Sequence, residues 1–139
     1  NKAHALNALA CKFVKANKTG EPVVVWGTGV AIREWLFAPD LGRLIAEVID
    51  RLATIVGIAE PINVAQNFGL SVKELVAILS AKYKGAIAVT WDSERPDGAP
   101  RKVMDDSRFK RVFPSFSFTS FDVGLEETLQ FYRQHEAMR

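Results

Sequence analysis

Apolar residues recur at helical spacing over Leu6, Leu9, Ala10, Phe13 and Val14, and the polar run from Asn17 to Gly20 ends that first helix. The β-branched run Val23–Trp26 predicts a strand, Gly27–Gly29 a turn, and Glu34–Phe37 a second short strand. Asp40 stands where it can cap the next helix, whose stripe is Leu41, Leu44, Ile45, Val48, Ile49 and Leu52. Pro61–Ala65 predicts a further short strand. Ser71 with Glu74 three residues on forms a capping box ahead of Leu75, Val76 and Leu79, so a third helix starts there. Ala86–Trp91 alternates as a strand does, and the loop SERPDGAPRK follows with its turn at Pro96-Asp97-Gly98. A short helix is predicted over Asp106–Phe113. The last helix begins near Ser120 and carries Phe121, Leu125, Leu129 and Tyr132 on one face.

Helices and strands alternate without an internal repeat or a low-complexity linker, so the class is α/β, or mixed α+β. The strands are few and short for an independent doubly wound sheet, which predicts that several belong to a larger sheet. At 139 residues the chain can form one domain with a real core. Its 48% apolar and 24% charged residues are ordinary for a soluble globular protein. The net charge of +2 is too small for a general nucleic-acid binder, so any anion site must come from a few locally placed bases. Cys11 is the single cysteine, which excludes an intrachain disulfide and a thiolate metal cluster and fits a reducing cytoplasm. No apolar run approaches the roughly 20 residues that span a bilayer. The opening NKAHALNALACKF has no signal-peptide core and no initiator Met, and it enters helical periodicity almost at once, as a cut end would.

The segment VVVWGTGVAIREW joins a strand to a glycine pair, the way a dinucleotide-binding loop begins. Such a loop needs G-x-G-x-x-G with the third glycine inside a helix. Here that position is Ile32, and the following VAIREWLF reads as strand. The glycines therefore serve a β-turn, which is expected to bring Trp26 and Arg33 together on neighbouring strands. An aromatic face beside a guanidinium suits a nucleotide or a sugar phosphate, and it equally suits plain surface packing. Arg95, Arg101 and Lys102 lie within one loop that Pro and Gly stiffen, so they form either a solvated turn or an anion clamp. His4 lies on the first helix off its apolar stripe, with no second metal ligand at i+4. His135 near the end of the last helix complements the helix dipole. Cys11 reads as a small buried residue rather than a nucleophile. Lys12 and Lys15 lie on the polar side of the first helix. No Ser/His/Asp set, carboxylate pair or zinc spacing is visible, and these residues alone support an anion-binding α/β domain.

The order of the features is more specific. HALNALACKF, VVVWGTGVAIREWLFAPD, INVAQNFGLSVKEL and RPDGAPRKVMDDSRF together resemble the carboxyl-terminal half of the GDP-L-fucose synthases, extended short-chain dehydrogenase/reductases of the NAD-dependent epimerase/dehydratase family. The resemblance covers nearly the whole chain, in the family's order. It implies the substrate-binding part of a nucleotide-sugar 3,5-epimerase and 4-reductase, lacking the main Rossmann sheet, with residues 1–139 a single domain of a larger enzyme. It further implies that His4 is the acid/base of epimerisation, because proton exchange beside a ketone needs a group titrating near neutrality. By the same carry-over Lys12 contacts the diphosphate, with Lys for the family's usual Arg. Trp26 lines the substrate pocket, and Arg33 and Lys102 bind the pyrophosphate. Lys12 offers a point charge rather than a bidentate fork.

Two positions depart from the pattern: Pro39 replaces an acidic residue, and Ala65 replaces a glycine after the INV strand. The family's Gly-rich cofactor loop, its Ser and Tyr-x-x-x-Lys reduction residues and the Cys that partners the histidine are also missing from this sequence. The implied partners are a GDP-sugar and a Rossmann domain, with no nucleic acid or membrane. NADP(H) is implied for the full-length enzyme and no cofactor or metal for this stretch, which is expected to be inactive alone. Exposed apolar surface would favour a homo-oligomer. Two alternatives remain: a free-standing, non-catalytic domain binding nucleotide sugars or a protein, and an epimerase or dehydratase for another nucleotide sugar.

Overall fold

A computed structural model describes residues 4–55 and 60–135. Helix α1 (Ala5–Thr19) buries Leu9, Ala10, Phe13 and Val14, and Gly20 closes it in the left-handed region at φ 73°. A side chain there would strain against its own backbone, and the Gly20 amide donates to Ala16 O as a helix stop does. The chain then forms β1 (Val23–Trp26), β2 (Ile32–Arg33), α2 (Ala38–Asp50) and the short α3 (Leu52–Ile55). Beyond these come β3 (Leu70–Ser71), α4 (Val72–Ala81), β4 (Val89–Asp92), β5 (Arg101–Lys102), α5 (Ser107–Val112) and α6 (Phe121–His135). The result is a mixed α/β fold of short strands and helices, as the alternation of patterns predicts.

The strands divide between two small sheets. β1 pairs in parallel with β4, Val23 opposite Val89 and Trp26 opposite Asp92. Parallel partners need a long crossover, and the chain between them supplies α2 and α4. The second sheet has the order β3-β2-β5, with β2 antiparallel to β3 and parallel to β5. The main core lies where α1, α4 and α6 meet β1, with Phe13, Leu75, Leu79 and Leu129 fully buried. A smaller cluster of Leu44, Phe109 and Phe113 ties α2 to α5.

Several local expectations are corrected. The second strand is Ile32–Arg33 rather than Glu34–Phe37. At Glu34 the amide makes a last backbone bond to Lys102 O at 3.2 Å, and beyond it a side chain takes over: the Glu34 carboxylate accepts from Gln66 N at 2.6 Å and Met104 N at 2.9 Å. Pro61–Ala65 forms no strand, because no described strand lies beside it to take its backbone groups. The predicted Ala86–Trp91 strand is shifted to Val89–Asp92 by its pairing with β1. Asp40 is not the cap of α2 but lies inside its first turn, fully buried. There its carboxylate accepts from Thr119 N, Thr119 Oγ1 and Arg43, which ties α2 to the segment before α6. Burial raises its pKa, but the bonds from Arg43 and Thr119 outweigh that and hold it below the usual carboxylate value.

Candidate functional site

The carboxyl end of β1 carries Trp26, 63% exposed, pointing away from the core that Val23 and Val25 enter. Alternation along the strand dictates this. Two cations approach its indole. Lys12, from the polar side of α1, has its Nζ 5.7 Å from the ring centre and donates to Val24 O at 2.7 Å. Arg95, from the loop after β4, has its guanidinium carbon 5.1 Å from the same ring, with its Nε directed at Asp92. An exposed aromatic face with two cations against it is a surface suited to an anionic, planar ligand.

After Trp26 the backbone turns through Gly27 and Gly29, both at positive φ (82° and 78°). A Cβ on Gly27 would collide with the Asp97 carboxylate, and one on Gly29 with the Trp91 ring. The turn leads into β2 and not into a helix. Its amides are already engaged: Thr28 N and Gly29 N both donate to Asp97 Oδ1, at 2.7 and 3.2 Å, and Gly27 N donates to Asp92 O. A carboxylate sits where a cofactor phosphate would have to sit, so this turn does not fit a dinucleotide.

Arg33 does not stand on a strand neighbouring Trp26, contrary to expectation. β1 and β2 belong to different sheets, because the turn carries the chain out of the first and into the second. The two residues are connected instead through the PDG loop. One guanidinium nitrogen of Arg33 donates to Ile32 O at 2.7 Å and the other to Asp97 O at 3.1 Å. Lys102 lies opposite Arg33 in the β2–β5 register, and both Arg101 and Lys102 are exposed. Lys102 borders a hollow of about 460 Å³ together with Glu34, Gln66 and Met104.

His4 is not on the helix but at the cap position before α1, with extended backbone (φ −60°, ψ 152°) and an exposed ring. Its carbonyl accepts from Ala8 N, while its side chain makes no capping bond. At about 1.5 Å of rise per residue it lies roughly 12 Å along the helix axis from Lys12. A cleft of about 340 Å³ opens beside the same end of α1, between Leu6, Trp35, Phe37, Phe68 and Phe121. Cys11 is half-buried and unbonded to another cysteine. His135 lies far along α6, where its Nδ1 is 2.8 Å from Phe131 O.

The fold thus gathers Lys12 with Trp26, and Arg33 with Lys102, and leaves His4 at the amino end of α1, away from Lys12. It adds Arg95 and Asp97, which the sequence marks only as a base in a loop and the middle of a turn. Their contacts join chain positions more than sixty residues apart, which no local pattern reports. Among the described residues no group of three or more His, Cys, Asp or Glu could hold a metal ion. Among them, too, no helix is long and apolar enough to cross a membrane.

The model of the NAD-dependent epimerase/dehydratase family matches residues 1–65. GDP-L-fucose synthase 1 of Arabidopsis thaliana is 31% identical over 99% of this chain and 41% of its own length. The chain is thus similar to this family over its first 65 residues and to the synthase over nearly its whole length. A dTDP-4-dehydro-6-deoxy-D-allose reductase of a Streptomyces species is 31% identical over 84% of the chain and 34% of its own length. Among solved structures, the GDP-L-fucose synthetase of Naegleria fowleri bound to NADP superimposes with a TM-score of 0.81 at 25% identity, covering 97% of this chain and 41% of that one. The chain therefore spans about two fifths of the length of the Arabidopsis synthase and of the Naegleria synthetase.

Proposed function

We propose that this chain is the substrate-binding portion of a nucleotide-sugar epimerase-reductase of the GDP-L-fucose synthase type. The observation that carries this reading is the exposed Trp26 indole with Lys12 and Arg95 against it; Arg33 and Lys102 form a second basic pair, joined to the Trp26 turn through Asp97. In this reading the bases neutralise the diphosphate, Trp26 lines the pocket, and His4 exchanges protons at the carbon next to the sugar's ketone. Cations suit a diphosphate because each charge-assisted hydrogen bond is shorter and stronger than a neutral one. Reduction requires NADP(H) on a dinucleotide-binding part of the whole enzyme, and this stretch alone is inactive as a reductase. The exposed row Leu41, Ile45, Ile49 and Leu52 on α2 and α3 is the surface on which that part would pack. We place the enzyme in the cytoplasm.

Calorimetry with GDP-, UDP- and dTDP-sugars tests the reading. Binding of a GDP-sugar that weakens on Trp26→Ala and Arg33→Ala is the expected result. No binding of any nucleotide sugar, or NADPH-dependent turnover by the chain alone, would overturn it. A preference for dTDP-sugars would instead favour the second reading, another sugar specificity in the same family, to which the similarity with the Streptomyces reductase lends support.

A further inference from the structure

The loop after β4 contains one carboxylate among its bases that a simple anion clamp would not want, Asp97. Its contacts explain its place. Asp97 Oδ1 accepts from Thr28 N and Gly29 N, and Oδ2 accepts from Thr28 Oγ1 at 2.6 Å. Its backbone carbonyl accepts from Arg33. Pro96 fixes the φ before it, and Gly98 takes φ 73° after it, so the turn itself aims both the carboxylate and the carbonyl. The carboxylate's bonds go to the Gly27–Gly29 turn, so it draws on none of the neighbouring cations through a direct hydrogen bond.

We infer that Asp97 is a positioning residue of the nucleotide-sugar site, latching the turn that follows Trp26 to the basic loop and setting the Arg33 guanidinium for the diphosphate. The inference rests on the substrate reading above. Arginine has five N–H donors; here one nitrogen is directed to Ile32 O and another to Asp97 O, which fixes the plane of the fork and leaves further donors for a ligand. The Thr28 hydroxyl, opposed by desolvation and assisted by the Thr28 and Gly29 amides and by Arg33, holds the Asp97 pKa below its usual value. The latch is therefore formed throughout the neutral range.

GDP titrations of the whole chain, followed by amide NMR, test the inference. Asp97→Ala is expected to weaken GDP binding about tenfold, as loss of one well-made charge-assisted contact does. In an Arg33→Ala background the same change is expected to add less than about twofold, since the carboxylate holds the loop whose carbonyl sets Arg33, and without the guanidinium that placement has nothing to act on. The Thr28 and Gly29 amides should lose protection from exchange in Asp97→Ala while the α1, α4 and α6 amides keep theirs. If that variant does not fold, Thr28→Val, which removes only the hydroxyl donor, is expected to weaken GDP binding by about threefold. Unchanged affinity in Asp97→Ala, or full additivity with Arg33→Ala, overturns the positioning role and leaves the substrate reading intact. Failure of the unaltered chain to bind GDP overturns the substrate reading and the positioning role with it, whereas unchanged amide protection overturns the latch alone.

Discussion

Helices α4 and α2 both carry an apolar stripe at helical spacing, and they meet different fates. On α4 the stripe Leu75, Val76 and Leu79 is buried, and the amino end is closed by a reciprocal pair: Ser71 Oγ accepts from Glu74 N, and Glu74 accepts from Ser71 N. On α2 only Leu44 is fully buried among the stripe. Leu41, Ile45 and Ile49 remain 40%, 52% and 66% exposed, and Leu52 just beyond is 53% exposed. The stripe of α2 is in fact two rows. One, through Leu44 and Val48, packs on Phe109 and Phe113. The other faces outward with nothing described upon it. Periodicity announces that a helix has a face to cover, and it does not say that the cover lies in the same chain.

Truncating side chains in the covered region should cost the most stability. Phe13→Ala, at a fully buried position shared by α1, α4 and α6, is expected to cost about 4 kcal/mol of unfolding free energy. Leu79→Ala should cost about 3 kcal/mol by the same cavity mechanism. Urea denaturation measures both. A cost under about 1 kcal/mol at Phe13 would mean that the α1–α4–α6 core is not the stable part of the molecule.

The next effect belongs to α2, and it is polar. Asp40 is buried and holds Arg43 and both polar groups of Thr119. Asp40→Ala leaves both Thr119 donors without their acceptor, while Arg43 keeps Ser117 O, and is expected to cost about 2 kcal/mol. The carboxylate also gives a pH signature. Its folded pKa is depressed, so its contribution is fully present above the unfolded value near 3.8 and is lost as pH falls through the lower folded value. The unaltered protein should therefore lose more stability than Asp40→Asn between pH 4 and pH 2, a difference readable by thermal melts. Parallel curves would show that Asp40 is not held as the ion.

The capping box of α4 ranks third. Ser71→Ala removes the acceptor for Glu74 N and is expected to cost about 1 kcal/mol. This interaction was legible because both partners lie within three residues of each other. So were the α1 stop at Gly20 and the strand Val23–Trp26, whose signals are equally local. Asp40 offered the same kind of local signal, a capping residue before a stripe, and there it misled. Its partner Thr119 is 79 residues away, and a tertiary bond outranked the cap. Pro61–Ala65 misled for a related reason: a strand is a property of two segments, and its own pattern cannot supply the second. At the candidate site the residue types on α1, at Trp26 and in the PDGAPRK loop could be picked from the sequence. That Asp97, rather than strand pairing, connects Trp26 to Arg33 could not.

The smallest expected effect on stability is the one that decides what α2 is for. Ile49→Gln replaces the most exposed apolar side chain of the outward row, so little area is returned to water and the unfolding free energy should change by less than about 0.5 kcal/mol. Its consequence should appear in association. Leu41, Ile45, Ile49 and Leu52 form an uncovered apolar row, and removing such area from water is worth about 25 cal/mol per Å². Light scattering of the chain alone should then show concentration-dependent self-association that falls in the Ile45→Gln, Ile49→Gln double variant while its melting temperature holds. A melting temperature that drops by several degrees would place the outward row in the chain's own core. Unchanged association would show that the row is an ordinary exposed surface, and α2 would no longer contrast with α4 in what its stripe is built to meet.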